Sequence, residues 1–203
     1  EGLRIDSRPG LRPIGQDPGS GFWEFAHLQS GTPAERGPDG KLILTEETGV
    51  VLVLLPGGSF WMGAQTVFPS NPNHDPQADP DEAPVQRIKL APYFLSKYEM
   101  TQGQWVRFLG KNPSMYGPGF ESGAGNRVDL LHPVEQVSWL DCRQTLARLG
   151  LVLPAEAQWE YGARGGTSSA WWTGDEAVSL RGTDNLADSY FHTFGPKDWE
   201  YED

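Results

Sequence analysis

Metal and nucleophile chemistry falls mostly to cysteine, histidine and clustered carboxylates, and this chain is sparing with the first two. Its 203 residues contain one cysteine, Cys142, and four histidines, His27, His74, His132 and His192. No two histidines lie within the spacing of about three to five residues common in zinc sites, so a His-based metal site built from this chain alone is not expected. His132 precedes Pro133 and reads as structural. Cys142 falls on the apolar side of a predicted helix with no histidine nearby in sequence, the pattern of a small buried thiol, not an activated one. A lone cysteine also excludes an internal disulfide and any multi-cysteine metal site within the chain. Carboxylates gather in two places. Asp75, Asp79, Asp81 and Glu82 offer the hard oxygen donors that calcium takes, but their irregular spacing fits no standard calcium loop, and a solvated acidic loop is expected. Asp184-Asn185-Leu186-Ala187-Asp188 and Glu202-Asp203 collect oxygen donors again, in what residue type alone marks as surface loop. There is no Gly-x-Ser-x-Gly, phosphate-binding loop or dinucleotide fingerprint, so hydrolase-elbow and nucleotide chemistry find no support.

The elements that must position these residues are short. Residues 1–48 are rich in glycine, proline and charge around one aromatic knot, Phe22-Trp23-Glu24-Phe25, and read as an extended lead-in with a short pair of strands. Val50 to Leu55 is apolar and β-branched, Pro56-Gly57-Gly58 turns the chain, and Ser59 to Gly63 resumes it, which predicts a hairpin. After a polar loop from Gln65 to Pro84, Val85 to Leu90 alternates with period two, and Tyr93 to Met100 is a further candidate strand. Thr101 with Gln104 fits a capping box, and Trp105, Phe108 and Leu109 recur at helical spacing before Gly110. Residues 111–131 read as a glycine-rich loop. Ser138 with Asp141 opens a second helix whose apolar face continues through Leu146 and Leu149 to Gly150. A third runs from near Pro154 to Arg164-Gly165-Gly166.

Composition fits that outline. The 25 glycines and 17 prolines are about a fifth of the chain, against a usual sum of about 12%, which argues against a helical bundle or coiled coil. Aromatic residues at 11% argue against disorder, because large rings can hold irregular backbone in place. The net charge of -11 comes without a Lys/Arg cluster, so no nucleic-acid partner is expected. No apolar run approaches the ~18 residues of a membrane span, and no membrane partner is expected. The chain opens on Glu1 without a signal-peptide pattern, as expected of a sequence whose natural start lies upstream. The single cysteine leaves the compartment open, with a reducing, cytoplasmic one favoured.

Six segments together resemble the formylglycine-generating enzyme, or sulfatase-modifying factor, domain family. They are Leu55-Pro56-Gly57-Gly58-Ser59-Phe60-Trp61-Met62-Gly63, Asp81-Glu82-Ala83-Pro84, Lys97-Tyr98-Glu99-Met100-Thr101-Gln102-Gly103-Gln104-Trp105, Lys111-Asn112-Pro113-Ser114, His132-Pro133-Val134-Glu135-Gln136-Val137-Ser138-Trp139, and Leu153 through Gly166. The resemblance covers residues 49–203, read as the N-terminal part of such a domain. Residues 1–48 resemble the lead-in seen where these domains follow a serine/threonine kinase in one bacterial chain.

The resemblance implies an α+β fold of the formylglycine-generating type, related to the C-type lectin fold and low in regular secondary structure. It implies a copper- and oxygen-dependent oxidation of a substrate cysteine in a sulfatase or peptide, by a cysteine pair in the C-terminal part of the domain. Cys142 does not match that pair, so no catalytic residue carries over, and the chain is expected to end before its domain is complete, with the remaining C-terminal part as its first partner. The resemblance also implies a structural calcium site, with Asn185 and Leu186 matching the side-chain and carbonyl ligands and Asp203 the later carboxylate. The alternative is a non-catalytic C-type-lectin-like module that binds a peptide or small ligand beside a signalling protein. Related ergothioneine-type iron enzymes need a histidine cluster that these four histidines do not provide.

Overall fold

A computed structural model describes residues 8–121 and 127–183. The chain divides into two units, one from Glu1–Gly58 with Lys89–Gln158 and one from Ser59–Ile88 with Trp159–Asp203. The strands are β1 (Leu11–Gln16), β2 (Trp23–His27), β3 (Glu35–Arg36), β4 (Leu42–Ile43), β5 (Val51–Leu55), β6 (Gly58–Met62), β7 (Gln86–Leu90) and β8 (Tyr93–Ser96); the helices are α1 (Gln102–Leu109), α2 (Trp139–Arg148) and α3 (Glu156–Arg164). Among the described residues strands and helices are mixed without a βαβ repeat, so the architecture is α+β.

In the first unit, β1, β2, β5 and β8 form a four-stranded antiparallel sheet in that order. The lead-in therefore contributes both an edge strand and an interior strand. β5 is apolar throughout and runs inside the sheet between β2 and β8; Val51, Leu52 and Leu54 are all buried. Period two sorts the side chains. Glu24 lies opposite Val53, and Val53 opposite Leu95. On the other face Phe25 meets Phe94 edge-on, with ring centroids 5.2 Å apart.

The expected hairpin from Val50 to Gly63 does not form. β5 pairs with β2 and β8, whereas β6 pairs with β7 in a separate two-stranded sheet. Gly57 and Gly58 adopt φ of 68° and 119°, and a Cβ on Gly57 would lie 2.5 Å from the Leu90 carbonyl oxygen. The glycine turn forms, but β6 leaves it to pair with β7, so the two strands part.

Helices α1 and α2 fall where their caps place them. Thr101 Oγ1 accepts from the Gln104 amide at 3.2 Å, and Gln104 Oε1 accepts from the Thr101 amide at 3.1 Å. Gly110 closes α1 at φ 72°. Ser138 and Asp141 make the same reciprocal box on α2. Inside α1 the buried residues are Gln102, Gly103, Gln104 and Trp105, while Phe108 and Leu109 are half-buried. Polar side chains can occupy that turn because their hydrogen bonds are met. Gln102 donates to the carbonyls of Tyr116 (2.9 Å) and Pro133 (3.3 Å) and accepts from Asn112 Nδ2 (2.6 Å), which satisfies its amide. Gly103 is required there: a Cβ would lie 2.9 Å from the Glu46 carbonyl oxygen.

Candidate functional site

The sheet register concentrates charge at one corner. Lys97 lies two residues past Leu95, so strand alternation carries it to the face that holds Glu24. Glu24 is fully buried, and its carboxylate accepts from both Lys97 Nζ and Arg36 Nη2. Asp17 completes the cluster, 3.2 Å from Lys97 Nζ and 3.7 Å from Arg36 Nη1. The Ser20 backbone amide and then its hydroxyl, both at 2.9 Å, with a further contribution from Lys97, hold the Asp17 carboxyl at about 2. For Lys97, burial disfavours the charge, but the hydrogen bonds to Glu24 and Asp17 outweigh it and the ammonium is held above its ordinary range. Glu24 and Asp17 thus face Lys97 and Arg36, and a protonated Lys97 cannot serve as an amine nucleophile.

Two cavities flank Lys97 and Tyr98. One, about 390 Å³, is lined largely by apolar groups and includes Thr48, Val51, Thr101, Gln104 and Pro133. The other, about 340 Å³, opens beside Asp17, Asp39 and Lys41. Both reach the size of small-ligand sites.

In the second unit a single backbone position is held from several sides. Glu160 Oε1 accepts from the Gly63 amide at 2.8 Å, and Arg164 Nη2 donates to the Gly63 carbonyl at 3.0 Å. Arg164 Nε donates to the same Glu160 oxygen at 2.7 Å. Asn73 Nδ2 donates to the carbonyls of Trp61 and Gly63, each at 2.7 Å. Phe60 packs edge-on against Tyr161 of α3 with centroids 5.4 Å apart. Within this unit, residues 60–63 and 160–164 therefore form the two halves of one structural joint.

Among the described residues, the chemistry-bearing side chains named from sequence do not come together as one cluster. Cys142 is half-buried, and burial, then the charge of Asp141, push its thiol pKa up, so it is not a ready thiolate. His132 pairs with Asp129 at 2.9 Å. His27 is 6% exposed with Nδ1 unpartnered; burial lowers its pKa against an opposing hydrogen bond to the Leu149 backbone. Asp79 and Glu82 of the acidic loop form a capping box on a 3₁₀ turn at Pro80–Glu82. No three His, Cys, Asp or Glu side chains come together as a metal site among the described residues. His192 and the expected calcium ligands Asn185, Leu186 and Asp203 lie outside those residues.

The Glu24–Lys97–Arg36–Asp17 cluster was not anticipated. A signal for it existed: Glu24 is the one charge inside the aromatic knot, and Lys97 opens a motif segment.

Residues 43–203 match the sulfatase-modifying factor enzyme 1-like domain, and the chain belongs to that family. Among curated proteins it is similar to the formylglycine-generating enzyme of Thermomonospora curvata, 26% identical over 179 residues, covering 68% of this chain and 56% of that protein. It is also similar to the serine/threonine-protein kinase pkn1 of Chlamydia pneumoniae, 27% identical over 168 residues, covering 75% of this chain and 25% of the kinase. The inactive C-alpha-formylglycine-generating enzyme 2 of Bos taurus is 25% identical over 158 residues, with 58% of this chain and 50% of that protein covered. The chain spans about half the length of the bacterial formylglycine-generating enzymes it matches.

Proposed function

We propose that this chain supplies the scaffold of a formylglycine-generating-type oxidase, whose complete form uses copper and molecular oxygen to oxidise a cysteine in a sulfatase or peptide. The state of Cys142 carries this division of labour. Copper(I) is held by soft thiolates, and the chain's single cysteine is a half-buried thiol whose pKa is raised. With no other metal grouping among the described residues, copper does not fit here, and the thiolate pair is assigned to residues outside these 203. The motif segments described above instead cap helices, satisfy buried amides and hold Gly63, which is scaffold work.

The test is to incubate the complete protein with copper and a peptide containing Cys-x-Pro-x-Arg, following the peptide by mass spectrometry. Conversion of the cysteine to the aldehyde is expected. No conversion at saturating copper would count against oxidation and favour a non-catalytic binding module, the reading supported by similarity to a protein kinase and to a relative named as inactive. We assign a structural calcium to the Asn185 side chain, the Leu186 carbonyl and Asp203. Calcium should raise the melting temperature of the complete protein, and Asn185→Ala should abolish that rise; an undiminished rise in the variant would rule the ligand set out.

A further inference from the structure

The family match begins at residue 43, yet an interior strand of the main sheet comes from before it. β2 lies between β1 and β5, with Glu24, Phe25 and Ala26 opposite Val53, Leu52 and Val51. The pairing continues past the strand: the amides of His27 and Gly49 donate to the carbonyls of Val50 and Thr32, each at 2.9 Å. Fully buried Ser30 joins the same seam, its hydroxyl accepting from the Val50 amide and donating to the His27 carbonyl, both at 2.7 Å. Apolar contact adds to the ladder, since Ala26 is 2% exposed and Phe25 packs on Phe94.

Charge makes the dependence mutual. Both acidic partners of Lys97, Asp17 and Glu24, precede residue 43, whereas Lys97 belongs to the matched region. Without the earlier segment, Lys97 would lose both carboxylates and β5 would present an unpaired apolar edge, a template for aggregation. Residues Glu1–Gly58 and Lys89–Gln158 correspondingly form one compact unit.

We propose that residues 8–42 are an obligate strand-donating partner of the matched domain, docked through β2 and Glu24 onto the β5 edge and Lys97, so that the two parts unfold as one cooperative unit. The test inserts a protease site between exposed Pro38 and Asp39 of the full chain and examines the cleaved protein by size exclusion. The pieces should co-elute and separate only at denaturant concentrations that abolish the circular dichroism signal. Release of the N-terminal piece while the remainder keeps its melting temperature would overturn the proposal. Should the insertion itself prevent folding, native-state hydrogen exchange on the unmodified chain decides. The amides of Ala26 and His27 should exchange through the same opening as those of β5; exchange about 100-fold faster, by a separate opening, would refute the proposal.

Discussion

Replacing Lys97 with methionine tests whether the charge cluster holds the sheet. The side chains keep similar length, so the loss is mainly the ammonium. Orphaning a buried charge costs about 3–5 kcal/mol, but Arg36 remains on the other Glu24 oxygen, and Lys97 retains 26% exposure. One surviving cation roughly halves the cost, to about 2 kcal/mol. The lost contact to Asp17, itself 22% exposed, adds little. A chain of this size loses about 2–4 °C of melting temperature per kcal/mol, so a drop of about 4–8 °C is expected. The assay is urea and thermal unfolding of wild type, Lys97→Met, Glu24→Gln and the double variant by circular dichroism at neutral pH. The double variant should be less destabilised than the sum of the singles by about 1–2 kcal/mol, because each single change removes the same contact. Because Glu24 is buried, added salt should leave most of that coupling intact. A Lys97→Met protein melting within about 1 °C of wild type, or a coupling near zero, would refute the reasoning.

Two further outcomes follow from the backbone and the buried imidazole. Gly63 adopts φ 87°, and a Cβ there would lie 2.5 Å from the Glu82 carbonyl oxygen, so Gly63→Ala should cost about 2–3 kcal/mol in urea unfolding; Gly110→Ala, at φ 72° with nothing within 4 Å, should cost only about 1. For His27 the folded pKa lies below 6.5, so the unfolded chain takes up the proton first. Its contribution is present above pH 6.5 and is lost as pH falls from there toward the folded value. A second acid limb comes from Asp17, with Asp129 and Asp141 also held low, and stability is lost as pH falls through 3.8, for Asp17 toward about 2. Stability measured against pH should show both limbs, and His27→Leu should flatten only the first.

Local chemistry made the helices legible. Thr101 with Gln104 and Ser138 with Asp141 are reciprocal caps whose partners lie three residues apart, and the chain folds there as the residue types require. The failed hairpin shows the limit of the same logic. Pro56-Gly57-Gly58 declares a turn but carries no information about which strand edge awaits beyond it, and β6 finds β7 instead of β5. The charge cluster was harder still, because Asp17 and Lys97 are 80 residues apart and only the register of β2, β5 and β8 brings their neighbourhood onto one face. The polar interior of α1 was hidden for a related reason: Gln102 is acceptable in a core only once Tyr116, Pro133 and Asn112 have been brought to its amide.

The hold on Gly63 has a consequence for strand pairing. An amide and a carbonyl of one residue, each given a partner, is what a neighbouring strand provides in a ladder. Here Glu160 and Arg164, four residues apart on α3, supply the acceptor and the donor. A helix thus supplies with two side chains what a neighbouring strand's backbone would, so the chain just past β6 has its polar groups met without a strand partner.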